Sequence, residues 1–155
     1  MDVIAELEAE VAPERLFAVV ADLGTYPGWL DIVGGAAPAG EDPGDPGPAW
    51  SVDLRGQLGP FRRSKRLRMV RSVVQPLEEV VFTRRELDGR THSDWTLRAT
   101  LAPVGGHGGD APVPVRLTME LHYGGSLWVP LLDRLLADEV ERSRPRLLAV
   151  VGGDG

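Results

Sequence analysis

The sequence predicts an α+β fold: a curved antiparallel sheet of six to seven strands wrapped around one long C-terminal helix, with two short helices after the first strand. Three observations predict it. Residues 2–11, 49–57, 92–102 and 113–123 alternate apolar with polar side chains, the period of half-buried strands. From residue 49 onward such segments are separated by Gly, Pro and Asp clusters, which makes consecutive strands antiparallel neighbours. Leu132, Leu136, Val140, Ser143, Leu147 and Val151 recur every three or four residues and form one face of a long helix. One sheet face must be covered, and that helix is the only large apolar element available to cover it. A twisted sheet of this width curls around the helix. The curvature leaves a gap where the helix cannot reach every inward side chain.

The elements follow in order. Val3, Ala5, Leu7, Ala9 and Val11 form the apolar face of the first strand, opposite Asp2, Glu6, Glu8 and Glu10. Pro13 opens a helix, where its missing N–H costs nothing, and Leu16, Phe17 and Val20 supply its buried side. Thr25 is the expected cap of a second short helix running through Trp29, Leu30 and Ile32 and ended by Gly34 and Gly35. Residues 36–48, dense in Pro, Gly and Asp, read as an exposed loop. Strands are expected at 49–57, 61–74, 78–87, 92–102 and 113–123, with Gly59-Pro60 and Asp88-Gly89 as hairpin turns and 103–112 as a loop. The last helix runs from about Leu127 to Val151. Pro145 should kink or break it near Arg144, because proline removes a backbone bond and crowds the preceding turn.

Composition bounds the rest. A chain of 155 residues with 43% hydrophobic and 26% charged residues fits one globular domain, placed at 1–151 with 152–155 as a tail. The absence of cysteine excludes disulfides, thiolate metal sites and a cysteine nucleophile. The acidic N-terminus lacks the features of a signal peptide, and no apolar run approaches ~18 residues, so the expected location is the cytoplasm, without stable membrane insertion. A net charge of −6 argues against a nucleic-acid partner. His92, His107 and His122 match no metal-ligand spacing, and no nucleophile elbow is present, so neither a metal, a cofactor nor a catalytic residue is assigned. A monomer or weak homodimer is expected.

The segment Ala12 to Val33 resembles the START-like, Bet v 1-like superfamily (SRPBCC), and within it the bacterial polyketide cyclase/dehydrase and lipid-transport group. Pro13, Glu14, Asp22, Tyr26, Pro27 and Trp29 carry the resemblance. Trp95-Thr96-Leu97, the stretch Leu117 to Tyr123, Gly124-Gly125 and the leucine-rich final helix extend it over nearly the whole chain. The resemblance implies a helix-grip fold and a small hydrophobic molecule or lipid held in an internal cavity. It leaves two alternatives: an aromatase/cyclase-type enzyme acting on a polyketide-like substrate, and a protein-interaction module with a filled cavity.

The expected ligand-binding residues are Trp50, Trp95, Leu97, Leu117, Met119, Leu121 and Tyr123 on the sheet, Leu132, Leu136, Glu139 and Val140 on the last helix, and Arg63. The tryptophans and the strand and helix stripes offer apolar area; Trp128 is a further aromatic at the expected mouth. Trp29 reads as a packing anchor. Tyr123 offers a hydroxyl, and Glu139 a carboxylate that burial would turn into a general base. The basic run 62–71 splits by alternation: Arg62, Arg66 and Arg68 share one face, and Arg63 and Lys65 share the other with Leu67 and Met69. Most of it reads as a solvated strand paired with acidic neighbours. Arg63, Lys65 or Arg85 is the candidate for meeting a carboxylate or phosphate inside the cavity.

Overall fold

The computed structural model describes residues 2–58, 61–104, 114–124 and 129–152, with side chains described at 2–55, 65–104, 114–124 and 138–152. Seven strands form one antiparallel sheet: β1 (Asp2–Ala9), β2 (Val33–Pro38), β3 (Ala49–Leu58), β4 (Phe61–Gln75), β5 (Glu79–Arg84), β6 (Trp95–Pro103) and β7 (Val115–Tyr123). Their spatial order is β1-β7-β6-β5-β4-β3-β2. The meander from β2 to β7 is thus read directly from chain order, while β1 closes the far edge by pairing with β7. Two helices, α1 (Pro13–Val20) and α2 (Val129–Gly152), and a 3-10 helix at Leu23–Gly28 complete the fold. The sheet curls into a half-barrel, and α2 packs on β1, α1 and the 3-10 helix.

Alternation positions the inner face. Val3, Ala5 and Leu7 of β1 lie opposite Leu121, Met119 and Leu117 of β7. Those in turn lie opposite Leu97, Ala99 and Leu101 of β6. All nine belong to the buried core or pack against it. A slip of one residue would send the acidic face of β1 into the core, so the burial pattern fixes the register. From α2, Val140, Ser143, Leu147 and Val151 are buried, as the helical stripe predicts.

Four local expectations are corrected. The second short helix is a 3-10 helix capped by Asp22, whose Oδ1 accepts from the Gly24 N–H at 2.8 Å. Thr25 instead donates its hydroxyl back to the Val19 carbonyl at 2.7 Å. Residues 33–38, read as a helix end and loop, form the edge strand β2. Its Gly-Gly-Ala-Ala sequence has little strand propensity, but the free edge of β3 supplies the hydrogen-bond partners, and Pro38 is tolerated because β2 is an edge. Asp88-Gly89 is the tip of a longer connection over 85–94 rather than a two-residue hairpin; Gly89 takes the left-handed conformation (φ +73°) there. Finally, α2 runs through Pro145 without a break. Pro145 and Glu141, whose carbonyl loses its helical partner, are both on the exposed side, where water replaces that bond.

Among the described basic residues of β4, Arg66 and Arg68 pair with acids, as expected, while Arg71 donates to the Ala21 carbonyl and Lys65 faces inward. Arg66 meets Asp53 at 2.8 Å, and Arg84 of β5 meets Glu86 at 2.7 Å. The strongest cluster is one that sequence reading did not find. Asp45, in the loop between β2 and β3, has a side chain only 4% exposed and accepts from Arg68 at 2.6 Å and also from Arg85. These hydrogen bonds, that of Arg68 foremost, hold its carboxyl well below the usual aspartate range. The folded state therefore binds this proton more weakly than the unfolded chain does. The resulting stabilisation is present above the ordinary aspartate value of about 3.9 and is lost as pH falls through the depressed folded value. Asp45→Asn should lower the thermal midpoint at pH 7, and its gap to the unsubstituted protein should shrink on acidification toward pH 2. A gap independent of pH would contradict this account.

Candidate functional site

A cavity of about 80 Å³ opens between the sheet and the helices. That is several times the roughly 10–15 Å³ a single water needs. Its wall comes from six of the seven strands, the 3-10 helix, the segment Leu30–Val33 and α2. The space exists because two packing units fill only part of the concave face. Toward one end, α1 packs on β6. Alongside, an aromatic chain closes the groove: Trp50 meets Phe82 edge-on at 5.7 Å, Phe82 meets Tyr26 at 6.3 Å, and Tyr26 meets Trp29 at 4.7 Å. The cavity occupies what remains, between Trp95, Leu97, Met119 and Leu121 on one side and Val52, Leu54, Leu67 and Met69 on the other.

The expected site residues divide accordingly. Trp95, Leu97, Met119, Leu121 and Val140 line the cavity. Trp50, Leu117, Tyr123 and Glu139 do not. Trp50 shares the inner face but spends its ring on Phe82. Leu117 lies two residues beyond Met119, opposite Leu7 and Leu101, in close-packed core. Tyr123 stacks at 5.3 Å on Trp95 from behind. Arg85 points away and pairs with Asp42 and Asp45. The side chains of Arg63, Leu132 and Leu136, and all of Trp128 and His107, lie outside the described residues.

Glu139 has a different part from the one its sequence context suggests. It is buried, but its Oε1 accepts from the Asp31 N–H at 2.9 Å and its Oε2 from Arg142 at 2.9 Å. Arg146 also approaches it, at 3.6 Å, while bonding Asp31. The carboxylate is a strut that ties α2 to the segment Leu30–Val33, which forms part of the cavity wall. Tyr26 lines the cavity with its ring, while its hydroxyl donates to the Val20 carbonyl at 2.8 Å; burial pushes its ionisation far above the usual phenol range.

Among the described residues two charged groups line the cavity, and both are cations. Lys65, the only lysine in the chain, lies opposite Leu54 on the inward face of β4, as alternation with Leu67 and Met69 indicates. Its ammonium stands 5.9 Å from the centre of the Trp95 ring, within reach of a cation–π attraction. Burial, then the nearby Arg84, hold it below the ordinary lysine range, with Glu86 acting the other way. Arg55 is the residue sequence reading could not find, since alternation places it on the outer face. It is exposed and yet contributes to the cavity lining, beside the register shift between Val33 and Gly35 of β2. Arg55 lies across Gly34, donating to its carbonyl at 3.3 Å. A Cβ at Gly34 would stand 2.1 Å from the guanidinium Nε, so a side chain there would make Arg55 swing aside. The buried Trp95 indole N–H, on the same wall, finds no hydrogen-bond partner among the described residues.

No protein-family model matches the chain, and no curated protein matches it. Solved structures do. Protein DR_A0006 from Deinococcus radiodurans aligns with a TM-score of 0.64 at 15% identity, over 96% of this chain and 99% of that one. A START superfamily protein from Mycobacterium smegmatis aligns at 0.61 and 18% identity, over 98% and 94%. Ara h 8.0201 aligns at 0.53 and 14% identity, over 98% and 95%. At these identities the likeness concerns the fold. Among the described residues no helix is long and apolar enough to cross a membrane. The curled seven-stranded sheet, the paired short helices after β1 and the long C-terminal helix thus give this chain the same helix-grip fold as these structures.

Proposed function

We propose that the protein binds a small hydrophobic molecule or lipid moiety in its internal cavity, as a carrier or sensor. The carrying observation is the cavity itself: about 80 Å³ with a wall that is apolar except for Lys65 and Arg55. Apolar clefts with few polar groups are the usual small-molecule sites, and the likeness to a START superfamily protein supports the same reading. A cyclase would need cavity groups that pass protons. Of the described groups at or beside the cavity, Arg55 stays protonated, the Tyr26 hydroxyl is engaged with Val20 and Glu139 is engaged with Asp31 and Arg142, which leaves Lys65 without an acid–base partner. An interaction module with a filled interior does not fit the open space. Calorimetric titration with 1-octanol, a neutral apolar probe, should give saturable one-to-one binding. Absence of saturable binding to octanol and to a wider set of neutral apolar compounds would refute the proposal.

A further inference from the structure

The polar groups at the cavity have one character. Lys65 and Arg55 are cations, and the Trp95 indole N–H is a donor; among the described residues no carboxylate lines the wall. Neither cation makes an ion pair with a carboxylate among the described residues. The acids that might have neutralised them are committed elsewhere: Glu86 to Arg84 at 2.7 Å, and Asp31 to Arg146. A partly buried cation without a counter-ion is unfavourable, and the side chain most exposed to that cost is the only lysine in a chain whose other basic residues are all arginine. A ligand that brings negative charge and acceptors would relieve Lys65 and the Trp95 indole together.

Resting on the apolar-cavity reading, we propose that the site selects an anionic amphiphile: an apolar body that fills the cavity and a carboxylate head that pairs with Lys65. Arg55, exposed and hydrogen-bonded to the Gly34 carbonyl, adds a second positive charge to the same cavity lining. The apolar wall supplies affinity that scales with buried area. The charge-assisted hydrogen bond supplies the discrimination, because a neutral head leaves the ammonium unpaired and a cationic head repels it.

The test compares octanoate, 1-octanol and octylamine, three probes with the same chain and different heads, titrated calorimetrically at pH 7.5 and low salt. Octanoate should bind at least about tenfold more tightly than octylamine and several-fold more tightly than octanol. Lys65→Met should bring octanoate down to the affinity of octanol, and Lys65→Arg should restore the preference. Because the replaced ammonium is held in an unfavourable setting, Lys65→Met should also unfold at a higher temperature than the unsubstituted protein at pH 7.5, which shows that lost binding is not lost folding. Equal binding of octanol and octanoate would overturn the charge selectivity while leaving the apolar site standing. A preference for octanoate that survives in Lys65→Met would overturn the assignment to Lys65. Failure of all three probes would overturn the cavity reading itself.

Discussion

Met119→Trp should lower the affinity for 1-octanol by at least tenfold, about 1.4 kcal/mol, while the protein still folds. Met119 sits at the centre of β7, opposite Ala5 on one side and Ala99 on the other, and its side chain forms cavity wall. Its neighbours across both strands are small, so the only bulk a larger side chain meets in front of it is the cavity. Extra volume in a close-packed core costs about 1–3 kcal/mol through strained rotamers and backbone shifts. Here the space is vacant, and the added indole gains apolar contact, so the net loss of stability should stay near the bottom of that range. Chemical denaturation measures the stability and calorimetry the binding. Retained affinity in a folded variant would show that the ligand lies elsewhere.

Glu139→Ala should destabilise the protein by about 2–3 kcal/mol. The figure follows from what the carboxylate leaves behind: the Asp31 N–H without its acceptor, and Arg142 without its partner. A charge-assisted hydrogen bond contributes about 1.5–3 kcal/mol, and orphaning its partner adds to the loss. Glu139→Gln keeps an acceptor for Asp31 and should cost less, about half as much. The same change should weaken octanol binding, since the strut holds Leu30–Val33 against α2 and Leu30, Ile32 and Val33 are cavity wall. If instead Glu139→Ala leaves stability unchanged and alters only the pH dependence of an activity, the carboxylate would be a proton-transfer group and not a strut.

The contrast between Glu139 and Lys65 shows how far residue patterns reach. Both lie at positions where periodicity brings a charged side chain near an apolar face. For Lys65, alternation with Leu67 and Met69 was sufficient, because a strand presents every second residue to the same side whatever surrounds it. For Glu139, the helix stripe placed the residue at the border of the buried face but could not say which neighbour it would meet. That neighbour, the backbone of Asp31, is 108 residues away in sequence. Arg55 shows a third case. It lies against Gly34 of β2, a strand whose glycine- and alanine-rich sequence carries no strand signal.

The sequence by itself determined the fold class, six of the strands, the capping of the sheet by an amphipathic C-terminal helix, and the inward faces of β1, β6 and β7. These follow from periodicities of two and 3.6 residues, which are local and survive without knowledge of partners. Only the tertiary structure decided that β2 exists, that Asp45 clasps Arg68 of β4 and Arg85 just beyond β5, and that Glu139 is a strut. It alone decided where core ends and cavity begins. Trp50, Leu117 and Met119 all face inward and are chemically similar. Whether each packs on a neighbour or borders open space depends on how α1, the aromatic chain from Trp50 to Trp29, and α2 share a concave surface too large for them to fill, and that is a property of the assembled volume rather than of any residue.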